Sequence, residues 1–208
     1  FMSDPIRDYL QTQGLRLPAD AVRVAQAAAE AVIQHGQAAV EGALLWQPAA
    51  VQCLERNEDN EALLKQIFMA FDAAYERCPV AGAAVYGLHQ GVLLRLVQQG
   101  DATTAQLAAD GSQDPYHLAA RSAVSGWLNW AENLAEWLQR GDLQGEHHDH
   151  SQAALPVCLS DGRVYGVVYL AHHQPITAEM LADWLGLTLA LQPVLAQLLP
   201  PPEAVPQN

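Results

Sequence analysis

The clearest pattern of apolar and polar positions lies near the end of the chain, where two continuous apolar runs flank a short polar stretch. The runs cover residues 153–159 and 164–171, and the stretch between them reads Ser-Asp-Gly-Arg. Asp-Gly between apolar runs is a strong hairpin signal, because both residues can adopt the positive φ of a type I′ turn. The second run is rich in β-branched and aromatic residues, as in strands that are covered on both faces. The pattern therefore predicts a hairpin whose second strand lies at the centre of a sheet.

The remaining patterns predict helices on either side of a second hairpin. They indicate a helix at 61–77, strands at 83–88 and 92–98, a polar loop at 99–115 with at most a helical turn at 104–108, a helix at 116–140 and a last helix at 177–199. Ser125-Gly126 could interrupt the helix at 116–140, which would place its tryptophans after a bend. Before them, an alanine-rich leader predicts helices at about 5–11, 18–46 and 48–56. The leader has too little apolar surface to stand alone, so we expect it to pack on the main domain or on a partner chain.

The order of these elements resembles a known family. A strand that opens with Leu-Pro-Val, a short polar turn, the run Val-Tyr-Gly-Val-Val-Tyr-Leu and a long C-terminal helix are similar to the second half of a GAF domain. The helix, the Cys-Pro break and the hairpin before them are similar to its first half. The resemblance covers about residues 58–199 and carries no invariant catalytic signature.

The patterns and the resemblance together predict an α+β fold with a central antiparallel β-sheet flanked by helices on both faces, as in GAF and PAS domains. The helical leader would occupy residues 1–57, the GAF-like domain residues 58–199, and a proline-rich tail or linker residues 200–208.

The charge balance limits the classes of partner. The chain of 208 residues has 10 basic and 23 acidic side chains, for a net charge of −13. Nucleic acids and anionic membranes attract proteins through basic side chains, so we expect neither as a partner. No signal peptide and no uncharged run of membrane-spanning length is evident, which favours a cytoplasmic protein.

The sequence predicts no catalysis. It contains no GxSxG, HExxH or phosphate-binding glycine loop. Among GAF-like proteins, the free methionine sulfoxide reductases are enzymes that work through several cysteines in and near the pocket. The three cysteines here, Cys53, Cys78 and Cys158, lie in the leader, at a helix end and within a strand. That pattern does not match, so an enzyme of this type is the least favoured alternative.

The resemblance implies a small-molecule pocket on one face of the sheet, under the segment 99–140. This segment and the two hairpins supply aromatic residues and a few polar groups for a pocket wall. Arg121 could pair with an acidic ligand group, and Tyr165 and Tyr169 are expected on one strand face. The alternative is that these side chains only close the core. The candidate ligand-binding residues are Tyr86, Tyr116, His117, Arg121, Trp127, Trp130, Tyr165 and Tyr169.

A histidine cluster suggests a metal site. With a two-residue turn, Ser160 pairs with Arg163, and the same register places Ser151 opposite His172. Histidines from two separate segments then meet at the open end of the hairpin, where imidazole suits zinc, nickel or copper. The candidate ligands are His147, His150, His172 and His173, with His150 facing His173. The alternative is a solvated polar rim, since the spacing matches no zinc signature.

These observations favour a non-catalytic regulatory or sensory domain that responds to a small molecule or a partner protein and signals through flanking helices. The rival hypothesis is a structural adaptor whose pocket is filled by its own tryptophans, three of which fall in the predicted helix at 116–140. The last helix carries two apolar stripes, and a sheet face can bury only one of them. We therefore expect a homodimer through the N- and C-terminal helices.

Overall fold

The computed structural model describes residues 4–159 and 161–200, and this part of the chain forms helices and strands in the predicted mixture. The helices are α1 (Pro5–Thr12), α2 (Ala19–His35), α3 (Gly42–Leu45), α4 (Pro48–Cys53), α5 (Glu58–Arg77), α6 (Leu118–Ser125), α7 (Leu134–Arg140) and α8 (Ala178–Leu198). The strands are β1 (Gly82–His89), β2 (Val92–Gly100), β3 (Gln106–Ala108), β4 (Asn129–Ala131), β5 (Ser151–Cys158) and β6 (Val164–His172).

The strands form one antiparallel sheet in the order β3-β2-β1-β6-β5-β4. Strand β6 lies between β1 and β5, at the centre of the sheet, as its composition predicts. Helices cover both faces, so the predicted α+β fold is confirmed. In the β5–β6 hairpin Ser151 pairs with His172, which is the register predicted for the open end.

The tip of this hairpin differs from the prediction. The Leu159 N–H donates to the Arg163 carbonyl at 3.0 Å, and the Gly162 N–H donates to the Leu159 carbonyl at 2.9 Å. Arg163 thus pairs with Leu159, and the connection is one residue longer than a two-residue turn. Ser160 itself lies outside the described residues.

A β-bulge in β6 compensates for this longer connection. Val157 pairs with Gly166 and Cys158 with Val164, so Tyr165 is the extra residue between them. A bulge restores the register of the remaining strand while it turns the extra side chain away from the regular alternation.

One face of the sheet is covered by the helical layer, which we define as α2, α5 and α8. Helices α5 and α8 pack on the strands, and α2 packs on α8 and α5 from outside. Helix α1 contacts the same core, where the buried Tyr9 hydroxyl donates to the Pro156 carbonyl at 3.0 Å. The leader therefore packs on the main domain, which is one of the two arrangements predicted for it.

The opposite face is covered by α6 and α7, which bury a smaller apolar cluster against β1 and β6. Here the helix predicted at 116–140 is not continuous, and the interruption lies at Ser125-Gly126, where the sequence allowed one. Helix α6 ends at Ser125, the following Gly126 has a left-handed φ of 73°, and the edge strand β4 separates α6 from α7. A residue with positive φ ends a helix because the chain can no longer continue the ladder of hydrogen bonds.

Two more boundaries differ for local reasons. The long helix predicted at 18–46 stops at His35, because Gly36 adopts extended ψ of 127°. A Cβ on Gly36 would lie 2.4 Å from the Met69 Cε atom, so the chain leaves the helix where it passes close to α5. The helical turn predicted at 104–108 is instead the edge strand β3, which pairs with β2.

Helix α8 continues through Pro193, although a proline in a helix interior removes one backbone hydrogen bond. Both of its apolar stripes are buried, one against the sheet and the other against α2. It is long and apolar enough to cross a membrane by length and composition, but 72% of its most apolar window is buried inside the protein, as in a core helix.

Candidate functional site

A cavity of about 510 Å³ opens on the sheet face opposite the helical layer. The loop after β2, the start of α6 and the loop before β5 surround it, and the ends of β1, β5 and β6 form its base. We call this cavity the pocket. Its lining residues are Gly82, Asp101, Ala102, Thr103, Thr104, Tyr116, His117, Gln144, Gly145, Glu146, His147, His148, Asp149, Gln152, Tyr169 and Ala171.

Two tyrosines support the base of the pocket. Tyr169 on β6 lines it directly, although only 6% of the residue is exposed. Burial, and then the charge of Asp149, raise the pKa of Tyr169, so its phenol is neutral at physiological pH. Tyr86 on β1 is fully buried beneath the lining, and its hydroxyl donates to the Thr104 carbonyl at 2.7 Å. Tyr86 thereby anchors the loop that follows β2.

His117 forms one wall and caps α6. Its Nδ1 accepts a hydrogen bond from the Ala119 N–H at 3.1 Å, and its ring centroid lies 4.9 Å from that of Tyr169. Burial, and then the neighbouring His147, lower the pKa of His117 to about 4. The imidazole is therefore uncharged at neutral pH, with its Nε2 as the protonated nitrogen.

A buried glutamine holds the opposite wall together. The Gln152 Nε2 lies 3.0 Å from the Asp149 Oδ2 and 3.3 Å from the His147 Nδ1. The His147 Nε2 lies 2.9 Å from the Gln144 carbonyl, which requires a proton on Nε2 and leaves Nδ1 as the acceptor. Gln152 belongs to β5 and is only 2% exposed, so a buried residue of the sheet fixes the orientation of the Asp149 and His147 side chains.

The lining carries negative formal charge. It includes the carboxylates Asp101, Glu146 and Asp149, and no lysine or arginine is among the lining residues of the described chain. Tyr116 stands at the rim with 48% of its surface exposed. The Gln144 N–H donates to the Pro115 carbonyl at 2.7 Å, which joins the loop before β5 to the segment that carries Tyr116.

The structure places four of the predicted ligand-binding residues at the pocket. Tyr116, His117 and Tyr169 line it, and Tyr86 supports its base. Most of the other lining residues lie in loops that precede or follow strands, and no local pattern marks them as neighbours. The predicted register is the one signal that could have found some of them, since it brings the loop before β5 next to the end of β6.

Arg121 and the two tryptophans lie elsewhere. The Arg121 Nε donates to the Asp114 carbonyl at 3.1 Å, and its guanidinium lies 5.8 Å from the Trp137 ring, so it braces a loop. Trp127 is 56% exposed outside the pocket. Trp130 on β4 packs towards the helical layer, where its Nε1 donates to the Ile176 carbonyl at 3.0 Å.

Tyr165 is also outside the pocket, and the prediction that it shares a face with Tyr169 is wrong. It packs in the core of the helical layer, whereas Tyr169 packs on the opposite face. The bulge at Tyr165 is the cause, because it interrupts the two-residue alternation of side chains along β6.

The predicted metal ligands do not converge. The His172 Nδ1 accepts from the Ala81 N–H at 3.1 Å, and His173 lies 3.4 Å from Asp101. His147 is bound within the pocket wall, and the backbone N–H of His150 donates to the His172 carbonyl at 2.9 Å. Over residues 4–159 and 161–200, no three His, Cys, Asp or Glu side chains form a metal-binding group.

The cysteines are remote from the pocket. None of the three lines it, and all three lie within the described residues. Cys53 is exposed on α4, Cys78 is buried at the end of α5, and Cys158 is half-buried in β5. Burial is the largest cause of the raised pKa of both Cys78 and Cys158. These two thiols are therefore protonated and poorly nucleophilic at neutral pH.

Comparison with known proteins gives results at the level of structure only. No protein-family model matches the chain, and a search of curated proteins also gives no match. Solved structures with similar folds include several GAF domains. A GAF domain of an Acinetobacter phosphoenolpyruvate-protein phosphotransferase has a TM-score of 0.55 at 15% identity, over 86% of this chain and 92% of that one.

Two further structures have slightly higher TM-scores. A putative GAF sensor protein from Burkholderia vietnamiensis has a TM-score of 0.57 at 12% identity, over 87% of this chain and 94% of that one. A type II free methionine-R-sulfoxide reductase from Thermoplasma acidophilum has a TM-score of 0.57 at 14% identity, over 68% of this chain and 98% of that one. The predicted resemblance is thus confirmed as a likeness of structure: this chain has the GAF domain fold.

Proposed function

We propose that this chain is a non-catalytic sensory domain that binds a small molecule in the pocket. The observation that carries the proposal is a cavity of about 510 Å³ whose polar side chains are held in place from the sheet. Small-molecule sites typically have volumes of roughly 300–1,000 Å³ and a few oriented polar groups. Gln152, Asp149, His147 and Tyr169 match that description, because buried contacts orient them towards an open space.

The position of the cysteines argues against catalysis of the methionine sulfoxide reductase type. That chemistry needs nucleophilic thiols at the substrate, and none of the three cysteines of this chain lines the pocket. The structural likeness to such reductases is at 14% identity or below and extends to the fold alone. The adaptor hypothesis has no specific support either, because none of the five tryptophans is a lining residue.

Native mass spectrometry of the protein purified from its own source tests the proposal. We expect a small molecule that is retained under native conditions and released on denaturation. Ala102→Trp places an indole at the pocket lining and should abolish retention. Ala135→Trp adds the same ring to the exposed side of α7, outside the lining, and should leave retention unchanged.

Equal retention by the two variants would place the ligand elsewhere and contradict the proposal. The absence of any retained molecule, together with no stabilisation of the unmodified protein across a metabolite library in thermal unfolding, would also contradict it. Binding to the folded state must raise the unfolding temperature when the ligand exceeds its Kd.

A further inference from the structure

The chemistry of the pocket wall indicates which molecules it can hold. Three carboxylates, from Asp101, Glu146 and Asp149, line the cavity, and no lysine or arginine is among its described lining residues. Asp149 is the most enclosed of the three and receives its hydrogen bond from the neutral amide of Gln152. Its negative charge is therefore oriented but not neutralised by that contact. An anionic ligand such as a phosphate or a dicarboxylate would meet unfavourable potential here.

The imidazoles do not reverse this charge. His117 is neutral because burial lowers its pKa to about 4. Both ring nitrogens of His147 are engaged within the wall, Nε2 with the Gln144 carbonyl and Nδ1 with the Gln152 amide. The His148 Nε2 lies 3.4 Å from the Glu146 Oε1. Both side chains are more than four-fifths exposed, so solvent screens the interaction between them.

Aromatic faces accompany the carboxylates. The ring centroids of His117, in the wall, and Tyr169, in the base, lie 4.9 Å apart, and Tyr116 lies at the rim. Aromatic rings beside a carboxylate form a favourable site for an ammonium group, which binds both the negative charge and the ring faces.

One polar group of the lining makes no hydrogen bond within the described part of the chain. Tyr169 lines the pocket and is only 6% exposed, and its hydroxyl is not engaged by any residue among 4–159 and 161–200. A polar group that is mostly enclosed normally has a partner, so this hydroxyl is available to an N–H or O–H group of a ligand. Asp149 lines the same cavity as Tyr169, and its charge contributes to the raised pKa of the Tyr169 phenol.

Resting on the proposed function, we infer that the pocket binds an organic cation whose ammonium head lies between the Asp149 carboxylate and the rings of Tyr169 and His117. The lack of a metal-binding group among the described residues favours an organic over an inorganic cation. The volume of about 510 Å³ leaves room for a body larger than the head itself.

Titrations monitored by NMR can test the charge requirement with matched probes. Choline is compared with 3,3-dimethylbutan-1-ol, which has the same shape without the charge, and butylammonium with butan-1-ol. We expect the cations to shift the amides of residues 147–152 and of Tyr169, and the neutral analogues to bind about tenfold more weakly.

Two isosteric variants test the assigned carboxylate. Asp149→Asn retains an oxygen that can accept from Gln152 but removes the charge, and it should weaken choline binding about tenfold. Asp8→Asn removes the same formal charge from an exposed position on α1, outside the pocket, and should leave binding unchanged. The two variants carry equal net charge, so the difference between them excludes a general electrostatic effect.

Several outcomes would overturn the inference. These are equal binding of the cation and its neutral analogue, an unaffected Asp149→Asn variant, stronger shifts of the same amides with AMP or calcium, or no shift with any ammonium probe. The proposed function would survive each of them if native mass spectrometry finds a retained molecule that Ala102→Trp abolishes. The two proposals therefore fail through different measurements.

Discussion

Gly186 of α8 lies directly against Ala25 of α2. A Cβ placed on Gly186 would be 2.4 Å from the Ala25 Cβ and 2.5 Å from the backbone nitrogen of Gln26. Backbone atoms cannot rotate away as a flexible side chain can, so the two helices cross at a point where only hydrogen fits. This crossing joins the leader to the last helix of the domain.

We predict that Gly186→Ala destabilises the protein despite the higher helix propensity of alanine. Overpacking at such a contact costs about 1–3 kcal/mol, which exceeds the roughly 1 kcal/mol gained from propensity. The matched control is Gly42→Ala in α3, where the nearest atom to a new Cβ is 3.8 Å away. Urea unfolding should show a lower free energy of unfolding for the first variant and an unchanged or higher one for the second. Equal behaviour would mean that α2 does not pack on α8 as described.

Removing the Tyr9 hydroxyl tests whether α1 is part of the same cooperative unit. Tyr9→Phe leaves the Pro156 carbonyl without its buried donor and should cost about 1–2 kcal/mol in urea unfolding. Tyr116→Phe removes a hydroxyl from an exposed residue at the pocket rim and should change stability by less than about 0.5 kcal/mol. If Tyr9→Phe has no effect on the transition, α1 unfolds separately from the domain.

His117 should make stability depend on pH below neutrality. Its pKa is about 4 in the folded protein and 6.5 for the free side chain, so the unfolded chain binds the proton first as pH falls. The stabilising contribution is present above pH 6.5 and is lost between pH 6.5 and 4. At pH 5 the loss relative to pH 7.5 should be about 2 kcal/mol, at about 1.4 kcal/mol for each unit of pH.

The matched variant for this measurement is His117→Asn, because asparagine keeps an acceptor for the Ala119 N–H but does not titrate. Unfolding free energies of the two proteins should converge as pH falls from 6.5 to 5. Parallel curves over that range would show that His117 is not the titrating group.

The homodimer stays a prediction, and the structure changes the surface on which it depends. The second stripe of α8 is covered by α2 within the same chain, so it is not available to a partner. On the outer side of α2, Val24 is 72% exposed. Light scattering of a dimer should give twice the 22.5 kDa chain mass, and Val24→Glu should shift it towards monomer. A 22.5 kDa species at micromolar concentration in the unmodified protein would contradict the prediction.

The sequence predicts the central part of the fold because that part depends on simple periodicity. Composition places β6 at the centre of the sheet, and the pairing of Ser151 with His172 follows from the register of a two-residue turn between Ser160 and Arg163. The extra residue in the turn and the extra residue in the bulge at Tyr165 shift the pairing in opposite directions. The predicted pairing at the open end of the hairpin is therefore correct, although the pairing predicted next to the turn is wrong. The orientation of Tyr165 is lost for the same reason, since alternation does not reveal where an extra residue enters a strand.

The site is predicted less completely because it is assembled from loops. Trp127 and Trp130 continue the helical spacing of the preceding residues, and only the left-handed φ of Gly126 separates them from α6. Asp101 and Asp149 lie in loops that follow β2 and precede β5 and meet only through the order of strands in the sheet. Short polar loops carry no periodic signal, so their convergence is a property of the tertiary structure.

Strand β6 has a different environment on each of its faces. Tyr169 lines the pocket, and its neighbour Leu170 is buried in the core that contains α8. The two residues share one peptide group, so any movement of Tyr169 perpendicular to the sheet is also a movement of Leu170. If a ligand occupies the pocket as proposed and displaces this part of β6, we expect the contact between Leu170 and the core around α8 to change with it, because a single strand backbone separates the two sites.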